Sequence, residues 1–233
     1  ILFIYKKLPS PVTKNLEIKA YTQTMLAYGI PLSFSTILSS FLAQFYVFLL
    51  PIFYLTDNSL IGNYNVALNF VVLITFFATP ITTMLFPAFS KLDYQTDRVA
   101  LGNVYRFSVR YSSLFVVPVA FLVMCLSGPA VSTLFGSTYD SAGLFLSLLA
   151  VSYLYAAFGN FSNGNLINSQ GDTSFIFKLT LVTACIGFPM GYLLIMNFGV
   201  LGLIATSLTA CIPSLILALR FIKNKYGASV DWV

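Results

Sequence analysis

Residues 173–221 read TSFIFKLTLVTACIGFPMGYLLIMNFGVLGLIATSLTACIPSLILALRF. Two apolar runs, about 173–196 and 199–221, flank the short uncharged turn Asn197-Phe198-Gly199. A helix needs about 20 mostly apolar residues to cross a hydrocarbon core of about 30 Å, and each run meets that length. The positive residues sit at the outer ends of the pair, Lys178 before it and Arg220 after it, and none lies near the turn. Such a pair predicts two membrane helices joined by a tight hairpin, with both basic ends on one side.

Working outward, the same alternation covers all twelve Lys and Arg residues. Lys6, Lys7, Lys14 and Lys19 precede the first apolar run, and Lys91, Arg98, Arg106 and Arg110 follow the second. Lys178 follows the fourth run, and Arg220, Lys223 and Lys225 follow the sixth. The intervening gaps hold only Asp57, Asp140 and the turn at Asn197. Positive charge is retained in cytoplasmic loops, so these gaps and both ends of the chain are predicted to be cytoplasmic. The expected spans are about 26–55, 62–90, 107–127, 141–168, 173–196 and 199–221, with a break at Ser127-Gly128-Pro129. The fold class is thus all-α, a polytopic membrane bundle of six transmembrane helices. Residues 1–25 are expected as a cytoplasmic connector with the tail of a preceding helix, 26–221 as the six-helix lobe, and 222–233 as a cytoplasmic tail leading to further helices.

Composition agrees. Hydrophobic residues make up 58% and charged residues 8%, with a mean hydropathy of +0.87; soluble domains carry about 25% charged residues. The net charge of +5 is no nucleic-acid footprint, because the basic residues mark membrane exits rather than one helix face. Cys125, Cys185 and Cys211 all lie in apolar runs and read as small hydrophobes. The chain has no His, and all seven acids lie at span ends or in loops. An intramembrane proton relay, a metal site and a general base for Ser or Thr therefore have no evident residues. Neither enzymatic activity nor a cofactor is expected, and a membrane glycosyltransferase fragment would have only Asp57 and Asp140 to offer as outward acids.

Several spans carry polar stripes. Ser33, Thr36, Ser40 and Gln44 share one helix face, Asn65 and Asn69 lie one turn apart, and Ser152, Tyr155, Gly159 and Asn163 form a stripe in the fourth span. Such residues either join helices to one another or line a wet cavity. Arg106 and Arg110 lie one turn apart where the third span begins. They can anchor the helix as topogenic charge, or grip a phosphate with paired guanidinium groups as Lys cannot.

The punctuation resembles that of polysaccharide flippases in the multidrug/oligosaccharidyl-lipid/polysaccharide exporter superfamily. The resemblance rests on Tyr28-Gly29-Ile30-Pro31-Leu32, Leu60-Ile61-Gly62-Asn63-Tyr64-Asn65-Val66-Ala67 and Pro87-Ala88-Phe89-Ser90-Lys91, and on Leu134-Phe135-Gly136-Ser137-Thr138-Tyr139. Asn168-Ser169-Gln170-Gly171-Asp172 and Phe198-Gly199-Val200-Leu201-Gly202 continue it in step with the six spans. It implies one lobe of a two-lobe transporter, here the second, that flips a lipid-linked oligosaccharide from the cytoplasmic to the outer leaflet. The implied partners are membrane lipid, the lipid-linked substrate and the first lobe of the same protein. Drug or metabolite antiport within the superfamily is the alternative. On these grounds Arg106, Arg110, Ser33, Ser40, Gln44, Asn65 and Asn69 are the candidate substrate-binding residues.

Overall fold

The computed structural model of this protein describes residues 16–54 and 58–230. Helices dominate and no strand occurs among the described residues. Helix α1 spans Leu16–Phe53, α2 Asn58–Ser90 and α3 Arg98–Phe135. A short 3₁₀ turn, Ser137–Tyr139, leads into α4, Asp140–Ala150, which continues as a 3₁₀ segment, Val151–Phe158, and then as α5, Asn160–Ser169. The last element, α6, covers Thr173–Phe221 and ends in a π turn at Ile222–Tyr226. Five helical elements are long and apolar enough to cross a membrane. The chain is a multi-pass membrane protein.

Six spans arise from five elements because α6 folds back on itself at Gly199. The backbone there has φ 58° and ψ −127°, a conformation that costs a residue with a Cβ but not glycine. The two halves then run side by side. A Cβ on Gly202 would lie 2.0 Å from the Leu194 carbonyl oxygen, one on Gly191 would touch the Thr206 methyl, and the Thr209 hydroxyl reaches the Met190 sulfur at 3.5 Å. The Tyr54 ring packs against Gly199, and its hydroxyl donates to the Met196 carbonyl at 3.4 Å. The turn expected at Asn197-Phe198-Gly199 therefore consists of one reversing residue.

Helix α1 packs along the first half of α6. Gly187 and Gly191 lie one turn apart and leave a groove that the Tyr46 ring fills, the small-residue seating that lets membrane helices approach closely. Phe45 against Phe188 and Phe53 against Tyr192 extend the contact, with ring centroids 5.0 and 5.5 Å apart. Outward rings and aliphatic side chains such as Phe34, Phe76, Met84, Leu114 and Phe121 stay exposed. Such surface suits lipid, whose chains are as apolar as these side chains.

Two expectations are corrected. Ser127-Gly128-Pro129 does not end the third span: α3 runs on to Phe135. Ser127, Ser132 and Thr133 hydroxyls donate to carbonyls of their own helix. Gly128 lets α4 approach, a Cβ on Gly143 falling 2.9 Å from the Gly128 Cα. The fourth span, expected as one helix over 141–168, is broken, with its 3₁₀ segment ending at Gly159 in the left-handed region, φ 77°. Residues 16–25, within the expected connector, are helical and continuous with α1, whereas residues 1–15 lie outside the described residues.

Helix ends alternate between two sides of the bundle. Lys19, Lys91, Arg98, Arg106, Arg110, Lys178, Arg220, Lys223 and Lys225 all belong to one side; Lys6, Lys7 and Lys14 lie outside the described residues. At this basic end the Gln170 amide nitrogen donates to the carbonyls of Phe89 and Leu92, and its oxygen accepts from the Tyr94 backbone N–H at 3.2 Å. Asp172 pairs with Lys225 at 2.6 Å and accepts from the Tyr226 hydroxyl. The loop before α6 is thus tied to the tail that follows it. At the opposite end, Asn63 accepts from the Ala142 N–H at 3.0 Å and satisfies an otherwise orphaned donor in the first turn of α4.

The hairpin generates a stability test. Gly202→Ala drives a methyl into the Leu194 carbonyl and should lower stability by about 1–3 kcal/mol, read as a reduced melting temperature of the detergent-purified protein. Gly29→Ala, in helix α1 with nothing within 4 Å of the added carbon, should match or exceed the parent. Equal melting of both variants would refute the tight hairpin.

Candidate functional site

A cavity of about 640 Å³ opens between α1, α5 and the two halves of α6, with Tyr64 and Leu68 of α2 at its floor. Its walls are mostly aliphatic, with hydroxyls and amides at intervals. Gln44 and Ser39 enter from α1, Asn160 and Asn163 from α5, and Thr180, Thr183, Ser207 and Ser214 from α6. No ionisable carboxylate, Lys or Arg lines it among the described residues.

The break at Gly159 shapes the cavity's polar wall. A Cβ at Gly159 would crowd Asn163 Oδ1 at 3.0 Å and the Tyr105 hydroxyl at 3.1 Å. Its absence lets α5 tilt so that Tyr105 of α3 donates to Asn163 Oδ1 at 2.7 Å in a buried site. Beside this bond, Ser108 and Ser162 hydroxyls meet at 2.9 Å. With its oxygen held by Tyr105, the Asn163 amide nitrogen is buried without a partner and belongs to the cavity wall. The Tyr46 hydroxyl, seated on the α6 glycines, is likewise buried, unpartnered and part of the wall. A buried donor without a partner costs about 1–3 kcal/mol, which a solute or water entering the cavity would recover.

The remaining hydroxyls have the opposite polarity. Thr180, Thr183, Ser207 and Ser214 each donate to a carbonyl one turn back in α6, leaving oxygen lone pairs for a ligand. The cavity therefore offers both donors and acceptors and carries no net charge. Such a surface matches a hydroxyl-bearing solute, since every hydroxyl both gives and takes a hydrogen bond.

Of the seven residues expected from sequence, Gln44 lines this cavity. Ser33 and Ser40 are exposed on α1, and Asn65 and Asn69 are exposed on α2; none of the four contributes to its wall. Arg106 and Arg110 are both exposed on α3 but separate: Arg106 shares a second pocket with Arg98, and Arg110 does not line it. The stripe expected through Ser152, Tyr155, Gly159 and Asn163 is also divided. Tyr155 donates to Leu208 of α6 at 3.0 Å, Ser152 donates back to Leu149, and Asn163 turns toward Tyr105. The helical periodicity that joined them fails at the 3₁₀ segment. Tyr46 was legible only as an aromatic in an apolar run.

The fold matches solved transporters. A multidrug resistance MATE family transporter of the MOP superfamily, in an outward-facing conformation, superposes with a TM-score of 0.72 at 12% identity, over 90% of this chain and 47% of that one. A MOP superfamily transporter from Pyrococcus furiosus gives a TM-score of 0.69 at 14% identity, over 90% and 46%. Among curated relatives, an uncharacterized membrane protein of Methanocaldococcus jannaschii is 27% identical over 66% of this chain and 30% of its own length. A probable low-salt glycan biosynthesis flippase, Agl15, of Haloferax volcanii is 23% identical over 75% and 38%. The chain thus spans about a third of these relatives and about half of the solved transporters. Residues 4–144 match the polysaccharide biosynthesis protein family, more than half of the chain; the chain belongs to that family.

Proposed function

We propose that this chain forms the second lobe of a membrane flippase that moves a lipid-linked oligosaccharide from the cytoplasmic to the outer leaflet. The observation that carries the reading is the uncharged cavity, in which unpartnered Asn163 and Tyr46 donors face hydroxyl acceptors of α6. That chemistry suits sugar hydroxyls, and membership of the polysaccharide biosynthesis family supports it. The similarity to a protein named as a probable glycan flippase points the same way. Drug antiport shares the fold, but a cavity free of ionisable side chains gives this lobe no group to exchange for a cation. The exposed Ser33, Ser40, Asn65 and Asn69 of α1 and α2 would face the first lobe across the transport cleft. The basic end of the bundle would lie in the cytoplasm, because translocating nine basic residues is disfavoured.

Orientation is checked by single cysteines at the exposed Ser59 and Thr138, in a background lacking the three native cysteines. An impermeant thiol reagent should label both in intact cells. Labelling that requires permeabilisation would place the basic end outside.

Transport is checked with the full-length protein. Gln44→Leu, and separately Tyr105→Phe with Asn163→Leu, make the cavity wall apolar while removing buried polar groups. Each should slow flipping about tenfold or more, the equivalent of one lost hydrogen bond of about 1.4 kcal/mol, at unchanged membrane abundance. Normal flipping in both would leave the cavity as a packing feature and end this reading of it.

A further inference from the structure

A second pocket, of about 340 Å³, lies at the basic end between Arg98, Asn103 and Arg106 of α3, with Gly102 and Val99 between them and Gly227 of the tail at one wall. We propose that it binds a phosphate group, as carried by an anionic lipid headgroup or by a soluble phosphate ester. The inference is independent of what the cavity transports.

Arg98 is held in place before any ligand arrives. Its Nε donates to the Tyr226 carbonyl at 3.2 Å, and its guanidinium packs on Gly227, where a Cβ would lie only 2.6 Å from Nε. The Tyr226 backbone is itself fixed, because the Tyr226 hydroxyl and Lys225 both engage Asp172. With Nε occupied, the terminal nitrogens of Arg98 remain to form the planar fork that suits phosphate oxygens.

Arg106 follows two turns later, about 12 Å along the axis, on the same pocket wall, and Asn103 adds an amide between the two. Gly102 has nothing within 4 Å of where a Cβ would stand, so the floor between the arginines is open. Asp97, adjacent in sequence, is drawn toward the loop: its carboxylate accepts from the Thr96 hydroxyl at 3.1 Å and the Asp93 N–H at 3.4 Å. No acidic side chain lines the pocket among the described residues. The first turn of the 38-residue helix α3 adds its dipole, positive at this end, to the two cations. The expected pair Arg106 and Arg110 is thereby replaced by Arg98 and Arg106, two residues that only the folded tail brings into one site.

The test uses the full-length protein in nanodiscs of phosphatidylcholine, with and without phosphatidylglycerol, read by melting temperature. In a second arm, inorganic phosphate and pyrophosphate are titrated into phosphatidylcholine discs. The parent protein should gain several degrees in the first arm if the phosphate belongs to a lipid, or in the second if the ligand is soluble. Arg106→Gln should abolish the gain. Gly102→Leu, which keeps both arginines and fills the floor, should abolish it too. Arg110→Gln removes the same charge one turn away and should retain it. Equal losses in Arg106→Gln and Arg110→Gln, or a full response in Gly102→Leu, would reduce the effect to diffuse surface charge and overturn the site. No gain in either arm would overturn it as well.

Discussion

Inside a bilayer, a backbone N–H or carbonyl that leaves its helix has no water to turn to, and the architecture depends on that constraint. The chain violates helical regularity in the fourth span, where α4 gives way to a 3₁₀ segment and Gly159 reverses handedness. The violation is tolerated because polar side chains converge on it. Tyr105, Ser108, Ser162 and Asn163 form two buried hydrogen bonds across the α3–α5 contact. The break and the polar cluster require each other, and together they place Asn160 and Asn163 on the cavity wall.

The constraint also explains which residues carry the packing. Water drives no association between helices in lipid, so close approach must supply it. Tyr46 settles on Gly187 and Gly191, and Gly128 meets Gly143. Both contacts bring aromatic or backbone atoms within van der Waals distance where a side chain would hold the helices apart. Larger apolar residues are left for the outer surface, the reverse of a soluble core. At the basic end, outside the hydrocarbon, charge takes over: Gln170, Asp172 and Lys225 lace the loops together where water and headgroups can solvate what remains unpaired.

Most of the topology could be read along the chain, because positive residues and span length act locally and additively. The turn at Asn197-Phe198-Gly199 was legible for the same reason: uncharged residues, a glycine and apolar runs on both sides. What escaped depends on partners distant in sequence. Ser127-Gly128-Pro129 carries every local sign of a turn, yet it stays helical because Gly143 packs against Gly128. Gly159 carries few such signs and breaks its helix. Among candidate site residues, Gln44 lay on a legible stripe and does line the cavity. Ser33, Ser40, Asn65 and Asn69 share its chemistry but face away, a distinction that periodicity alone does not draw. The partner of Arg106 lies eight residues upstream rather than four downstream, because the tail beyond α6 folds back onto α3.

The one-residue reversal at Gly199 has a consequence for biogenesis. With no connecting loop, neither half of α6 can thread the insertion machinery while the other stays behind, and a lone half would expose the Gly202 groove to lipid. The two halves must therefore partition from the translocon as one unit, carrying Lys178 and Arg220 to the same side together. A topological error in this region is confined to inversion of the whole hairpin, which would drag both cations through the membrane. The geometry of a single glycine thus removes half-inserted isomers from the set of states that quality control must recognise.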